Sequence, residues 1–151
     1  MDRFSGHMGR ALEAARAAAA RGEVPVGAVI ADARGRVLAV AGNEMRARND
    51  PTAHAEILAI RAACAALGRD RLEGCVLTVT LEPCPMCAAA ISAARLARLV
   101  YGAADPKSGG VAQGPRIFAH PQCHHVPEVI DGIMAEESAA LLRAFFAGRR
   151  G

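Results

Sequence analysis

The chain has 151 residues, of which 52% are hydrophobic and 22% are charged, and its formal net charge is +3. The apolar content excludes a disordered chain, and the length predicts a single domain over residues 1–151. No stretch reaches the roughly 18 uninterrupted apolar residues of a membrane span, and the first residues lack the layout of a signal peptide. We therefore expect a cytoplasmic protein with no membrane partner.

The first part of the chain predicts two helices on either side of a β-hairpin. Apolar periodicity and turn signals give a helix, two strands and a second helix, in the order 2–21, 24–31, 37–41 and 54–67. A glycine follows each helix. We expect Asp50 or Thr52 to cap the second helix, and Ile57 and Ile60 to lie on its apolar face.

The second part predicts strands that alternate with helices. The strands are expected at 75–80, 98–101 and 125–130, and the helices at 84–95 and 134–146. Residues 102–125 contain many glycines and prolines and predict a long functional loop. The anchors of the last helix are expected to be Leu141, Leu142, Phe145 and Phe146. This order is typical of an α/β fold with a mixed sheet and helices on both faces.

Five cysteines are present, and an odd number argues against a disulfide framework. Cys64 and Cys75 lie in apolar segments and are interpreted as small buried residues. Cys84 and Cys87 differ from them, because prolines stand on both sides of Cys84.

The residues suited to chemistry stand at two predicted helix starts, His54-Ala55-Glu56 and Pro83-Cys84-Pro85-Met86-Cys87. Cysteines three residues apart lie on one side of a helix, and a helix N-terminus stabilises them as thiolates. With His54 as a third ligand, Cys84 and Cys87 predict a zinc site whose fourth position is left for water. We expect one zinc ion per chain, which would lower the pKa of that water.

Glu56 stands beside a predicted ligand but is not needed as one. A carboxylate in that position can take a proton from the water and deliver it to the substrate. A leaving group such as ammonia needs that proton, so Glu56 is the expected catalytic residue.

Other interpretations of these residues stay open. Cys84 and Cys87 also suit a redox pair, or a structural zinc site, which needs a fourth protein ligand. The segment Cys123-His124-His125 could offer that ligand or form a second metal site. Arginines near the C-terminus suit phosphate contacts, but arginines also stand at helix ends for electrostatic reasons.

The H-x-E and P-C-x-x-C segments together form the signature of the zinc deaminases. Among these, the chain resembles the bacterial tRNA-specific adenosine deaminases over nearly its whole length. The segments that carry this resemblance are 22–29, 49–57, 80–88, 101–109 and 136–150.

The resemblance implies a homodimer with a cytidine-deaminase-like three-layer α/β/α fold, built on a mixed five-stranded sheet with helices on both faces. It implies hydrolytic conversion of adenosine to inosine at the wobble position of the tRNA anticodon, typically in the arginine tRNA with anticodon ACG. The zinc ligands would be His54, Cys84 and Cys87, with Glu56 as the proton shuttle. Asn43 matches a contact to the target nucleoside. Contacts to flanking nucleotides are expected at Asp105, Lys107, Phe146, Arg149 and Arg150.

Two alternatives share the same motif. A free nucleobase or nucleoside deaminase, such as a guanine deaminase, would have the same zinc site, but the two phenylalanines and two arginines within 145–150 favour RNA. A catalytically inactive RNA-binding subunit is disfavoured by the intact Glu56. The alanine-rich stretch 88–94 either allows a second copy to approach closely or packs against the sheet.

Overall fold

The computed structural model describes residues 6–149. The helices are α1 (Met8–Ala20), α2 (Ala55–Leu67), α3 (Pro85–Ala93) and α4 (Ala135–Ala147). The strands are β1 (Gly27–Ala31), β2 (Val37–Gly42), β3 (Val76–Leu81), β4 (Arg98–Ala103) and β5 (Glu128–Ile130). A short 3-10 helix covers Ile117–Ala119. Within residues 6–149, no helix has the length and apolar character needed to cross a bilayer.

The five strands form one mixed sheet in the order β2-β1-β3-β4-β5. β1 is antiparallel to both of its neighbours, whereas β3, β4 and β5 run parallel to one another. The carboxyl ends of β3 and β4 therefore meet the amino end of β1 at one edge of the sheet. At this edge the backbone N–H of Gly27 donates to Oγ1 of Thr80 over 3.2 Å.

Helices cover both faces of the sheet, so the fold has three layers. All five residues of β1 are buried, as expected of a strand covered on both faces. Ala28 and Ile30 pack in the core on the α2 side, whereas Val29 packs with Met8 and Leu12 of α1. The predicted three-layer α/β/α fold with a mixed five-stranded sheet is confirmed.

Some predicted boundaries were wrong. The start of the first helix at residue 2 lies outside the described residues, but residues 6–7 form a turn and α1 begins at Met8. The first strand begins at Gly27 and not at Val24, because the N–H of Val26 bonds to the carbonyl of Val24 and Pro25 has no N–H to donate. β5 covers only the last three residues of the predicted segment.

Two expected packing faces are confirmed only in part. On α2 the buried positions include Leu58 and Ala59; Ile60 is half-buried but packs against the same core as expected, and Ile57 is also only half-buried. On α4 Phe145 is buried, but Phe146 is 48% exposed and does not anchor the helix.

Candidate metal centre and substrate pocket

Two helix N-termini bring the predicted zinc ligands together. His54 is the N-cap of α2 and Cys84 is the N-cap of α3, and both have extended backbone with ψ of 152° and 171°. Pro85 follows as the first residue of α3, where its missing N–H costs nothing. Cys87 lies one turn further along and is fully buried.

The three ligand atoms have the spacing of a tetrahedral zinc site. Nδ1 of His54 lies 3.7 Å from Sγ of Cys84 and 3.5 Å from Sγ of Cys87. Tetrahedral bonds of about 2.3 Å to sulfur and 2.05 Å to nitrogen place such atoms about 3.6 Å apart. Within residues 6–149 these are the only three histidine, cysteine or acidic side chains that meet closely enough to hold a metal.

The electrostatics of the ligands suit a cation. Hydrogen bonds from Cys87 and His54 lower the pKa of Cys84 to about 4, so its sulfur is a thiolate. The neighbouring Cys84 and burial raise the pKa of Cys87, because a second thiolate there lacks a compensating charge. The hydrogen bond to Cys84 raises the pKa of His54. A divalent cation would supply the positive charge that these two thiolates need.

Glu56 lies in the first turn of α2 and is 4% exposed. Burial raises the pKa of its carboxyl group, whereas its backbone hydrogen bond and the charge of His54 lower it. The resulting pKa is about 7. Its side chain therefore exchanges a proton readily near neutral pH, as a general acid–base group requires.

Asn43 caps the helix that carries His54 and Glu56. Its Oδ1 accepts the backbone N–H of Ala55 over 2.8 Å, and Asn43 itself is 4% exposed. The expected caps were wrong, because Oδ1 of Asp50 instead accepts the backbone N–H and the hydroxyl of Thr52 within the preceding loop.

A pocket of about 150 Å³ opens directly onto the ligands. Its lining includes Asn43, Glu56, Asp105 and Ser108, together with His54 and Cys84. The structure thus brings together, at one site, segments that are more than 60 positions apart in the sequence.

A larger cavity of about 700 Å³, the outer groove, lies beside this pocket. The two share Val24, Leu81, Asp105 and Ser108 as walls. The outer groove is also lined by Lys107, Phe146 and Arg149. Four of the five residues expected to meet flanking nucleotides therefore lie along one surface, and the fifth, Arg150, lies outside the described residues.

Sequence reasoning missed two buried glutamates that hold the loops around the pocket. Glu23 accepts the backbone N–H groups of Arg46 and Ala47 over 3.1 and 2.9 Å. Glu82 accepts backbone N–H groups of the loop after β4. In the sequence, each of these glutamates stands close to an apolar segment and a proline. This pattern could have identified them.

The segment Cys123-His124-His125 does not supply a fourth ligand. His125 Nε2 lies 2.6 Å from the carbonyl of Leu96, and Cys123 Sγ lies 3.4 Å from the hydroxyl of Ser92. Cys123 and His124 instead line a cavity of about 650 Å³ beside Ala89 and Ala93, which are exposed on α3. In contrast, Ala88 and Ala94 are buried against the core.

Comparisons with known proteins identify the family. Residues 1–103 match the model for the cytidine and deoxycytidylate deaminase zinc-binding region. A protein from Agrobacterium fabrum named tRNA-specific adenosine deaminase is 58% identical over 140 residues, which are 93% of this chain and 91% of the relative.

Solved structures show the same fold. One, from a study of A-to-I editing by tRNA:A34 deaminases at the wobble position of transfer RNA, has a TM-score of 0.88 at 58% identity and covers 89% of this chain and 97% of its own. A guanine deaminase from Nitrosomonas europaea has a TM-score of 0.83 at 26% identity, with 97% and 86% covered.

Proposed function

Because the chain belongs to the cytidine and deoxycytidylate deaminase family, we propose that the pocket at His54, Cys84 and Cys87 is the active site of a tRNA adenosine deaminase. The enzyme converts adenosine to inosine at the wobble position of the anticodon, with water consumed and ammonia released. The 58% identity to the A. fabrum relative over most of both chains supports tRNA as the substrate.

One observation supports this function most strongly: a small pocket at a predicted zinc site continues into a larger groove with basic and aromatic walls. The small pocket suits one base, whereas a free base would leave the outer groove empty. A base that reacts at a buried centre must first leave its stack, which costs a few kcal/mol. An anticodon loop lowers that cost because its bases are single-stranded.

We infer that one zinc ion per chain is held by Nδ1 of His54 and the thiolates of Cys84 and Cys87. The S···N distances of 3.5 and 3.7 Å support this ligand set. When bound, zinc supplies the charge that makes a water molecule acidic near neutral pH. These three ligands would leave the fourth position of a bound zinc ion for water, as in catalytic zinc sites.

Glu56 is the group that moves the proton. Its carboxylate takes a proton from the attacking water and delivers it to the departing amino group. A pKa of about 7 lets the same side chain perform both transfers at neutral pH. Asn43 holds the first turn of α2, and thereby His54 and Glu56, through its bond to the N–H of Ala55.

The chain acts as a homodimer in this proposal, with the exposed face of α3 against a second copy. Ala89 and Ala93 offer small side chains for close helix approach, and residues 115–124 form the other wall of the cavity. Light scattering at micromolar concentration should report a dimer, and Ala93→Glu should give a monomer. Ala62→Glu, an exposed alanine of α2, is the matched control and should stay dimeric.

The function is tested by incubating the purified protein with tRNA of anticodon ACG, with guanine and with free adenosine, and measuring inosine or released ammonia. We expect inosine in the tRNA and no reaction with the free compounds. Deamination of guanine alone would instead assign a free-base deaminase.

A further inference from the structure

We propose that Glu82 is a positioning residue for substrate binding, because its buried carboxylate fixes the loop 104–113 that forms one side of the pocket. This inference rests on the proposed function, since the loop is taken to contact RNA. Glu82 follows β3 directly and is 2% exposed. It stands two residues before the ligand Cys84, so one short segment serves both the metal centre and the loop.

Both oxygens of the Glu82 carboxylate accept hydrogen bonds from backbone N–H groups of that loop. Its Oε1 accepts the N–H of Asp105 over 3.0 Å. Its Oε2 accepts the N–H groups of Val111, Ala112 and Gln113 over 3.1, 2.8 and 3.1 Å. Four backbone donors around one ionised group are charge-assisted bonds, which are stronger than neutral ones. Both ends of the loop are thus tied to the same side chain.

Glycines allow the loop to close around this carboxylate. A Cβ on Gly109 would lie 2.6 Å from Cδ and Oε2 of Glu82. A Cβ on Gly110 would lie 2.5 Å from the nitrogen of Pro85, and the N–H of Gly110 donates to the carbonyl of Pro83. The loop therefore packs on Glu82 and on the segment around Cys84 with no room for larger residues.

The loop held in this way carries side chains of both cavities. Asp105 and Ser108 line the pocket and the outer groove, and Lys107 lines the groove. Within the loop, Oδ1 of Asp105 accepts the N–H groups of Lys107 and Ser108 over 3.2 and 3.0 Å. A change at Glu82 is therefore passed to groups at the substrate surface, while Glu56 stays on a different element.

Glutamine cannot replace this carboxylate. Its carbonyl oxygen can still face the three donors of residues 111–113, but its NH₂ group then meets the N–H of Asp105, and two donors cannot bond. Glu82→Gln thus removes one bond and weakens the others without creating a cavity.

The experiment compares wild type with Glu82→Gln by hydrogen exchange of the peptide 104–113, zinc content, and steady-state kinetics on an anticodon stem-loop. We expect exchange about tenfold faster or more in this peptide, KM about tenfold higher, and kcat and zinc nearly unchanged, because only binding contacts move. Glu23→Gln is the matched control: it should speed exchange at residues 44–50 and leave 104–113 as in wild type.

Gly109→Ala provides a second variant that disturbs the same contact from the loop side. We expect it to raise KM as Glu82→Gln does, with less than additive effects in the double variant. Unchanged exchange at 104–113, additive effects, or a fall in kcat with KM unchanged would overturn the positioning role. A wild-type protein that makes no inosine would defeat the proposed function alone, since the exchange experiment needs no substrate.

Discussion

The guanidinium group of Arg149 lies over the ring of Phe145, with its Cζ 3.6 Å from the ring centroid. Phe145 is buried, and its ring meets that of Phe146 edge-on, with centroids 5.3 Å apart. The stack holds Arg149 at the wall of the outer groove but does not neutralise its charge. The side chain of Arg149 is therefore already ordered, so it loses little conformational entropy when it binds an anionic ligand.

Arg46 approaches the same place from a different loop. A Cβ on Gly22 would lie 3.7 Å from Nη2 of Arg149 and 3.9 Å from Nη1 of Arg46. Two guanidinium groups that converge in this way suit a phosphate of the RNA backbone.

The double variant Arg46→Glu, Arg149→Glu should bind tRNA more weakly and with a flatter salt dependence. The slope of log K against log salt should fall by about one unit for each lost phosphate contact. At saturating tRNA kcat should change little. Arg34→Glu, in the turn at the far end of the β-hairpin, makes the same charge reversal at one site and should leave the slope nearly as in wild type. Equal slopes in the double variant and wild type would contradict the phosphate role.

Glu56→Gln should keep the fold and the zinc but lose activity by about 10²-fold or more, because the amide cannot carry the proton. The measurements are kcat on tRNA and metal analysis of the same sample. Near-normal deamination by this variant would remove Glu56 from the mechanism.

Removal of a ligand should remove the metal. Cys87→Ser and His54→Ala should lower zinc from about one per chain to a small fraction, and inosine formation should be lost with it. Cys64→Ser changes a cysteine at the far end of α2 and should keep full zinc. A ligand variant that retains its zinc would show that the ligand set is wrong.

Stability should depend on pH through Glu23. Burial raises the pKa of this carboxyl group, but hydrogen bonds from Arg46 and Ala47 and the charges of Arg21 and Arg46 outweigh it, so the pKa lies below its usual value. The ionised group therefore stabilises the folded state fully above its unfolded pKa of about 4.3. This stabilisation is lost as the pH falls through the lower folded value.

Glu23→Gln should thus lower the free energy of unfolding by about 1–3 kcal/mol at pH 7, and the gap to wild type should narrow below about pH 4.5. Urea unfolding at fixed zinc concentration measures both. Glu13→Gln, exposed on α1, should cost less than about 0.5 kcal/mol at pH 7. If the difference in the free energy of unfolding instead grew as the pH fell, the folded-state pKa of Glu23 would lie above its unfolded value, and the prediction would be wrong.

The sequence alone predicted those features that depend on residues close together in the chain. The zinc ligands stand at helix starts with short spacings, so His54, Cys84 and Cys87 could be grouped before any fold was known. The alternation of strands and helices likewise predicted the three layers. The pairing of β1 with β3, in which Val29 lies opposite Thr78, 49 residues further along the chain, was not predicted because no local pattern encodes it.

Contacts over long separations account for what was missed. The capping of Ala55 by Asn43 spans 12 residues, and the bonds from Glu82 to residues 111–113 span about 30. Phe146 has the same apolar character as Phe145, and only the packing of α4 decides which of the two is buried.

Because Glu82 holds residues 104–113 through their backbone N–H groups, the path of the loop does not depend on most of its side chains. Four backbone N–H groups fix the path, and any residue other than proline supplies such a group. Lys107 and Ala112 are exposed, so their replacement leaves those bonds in place. New substrate preferences are therefore best sought in libraries at Lys107, which lines the outer groove, with the carboxylate and Gly109 kept constant.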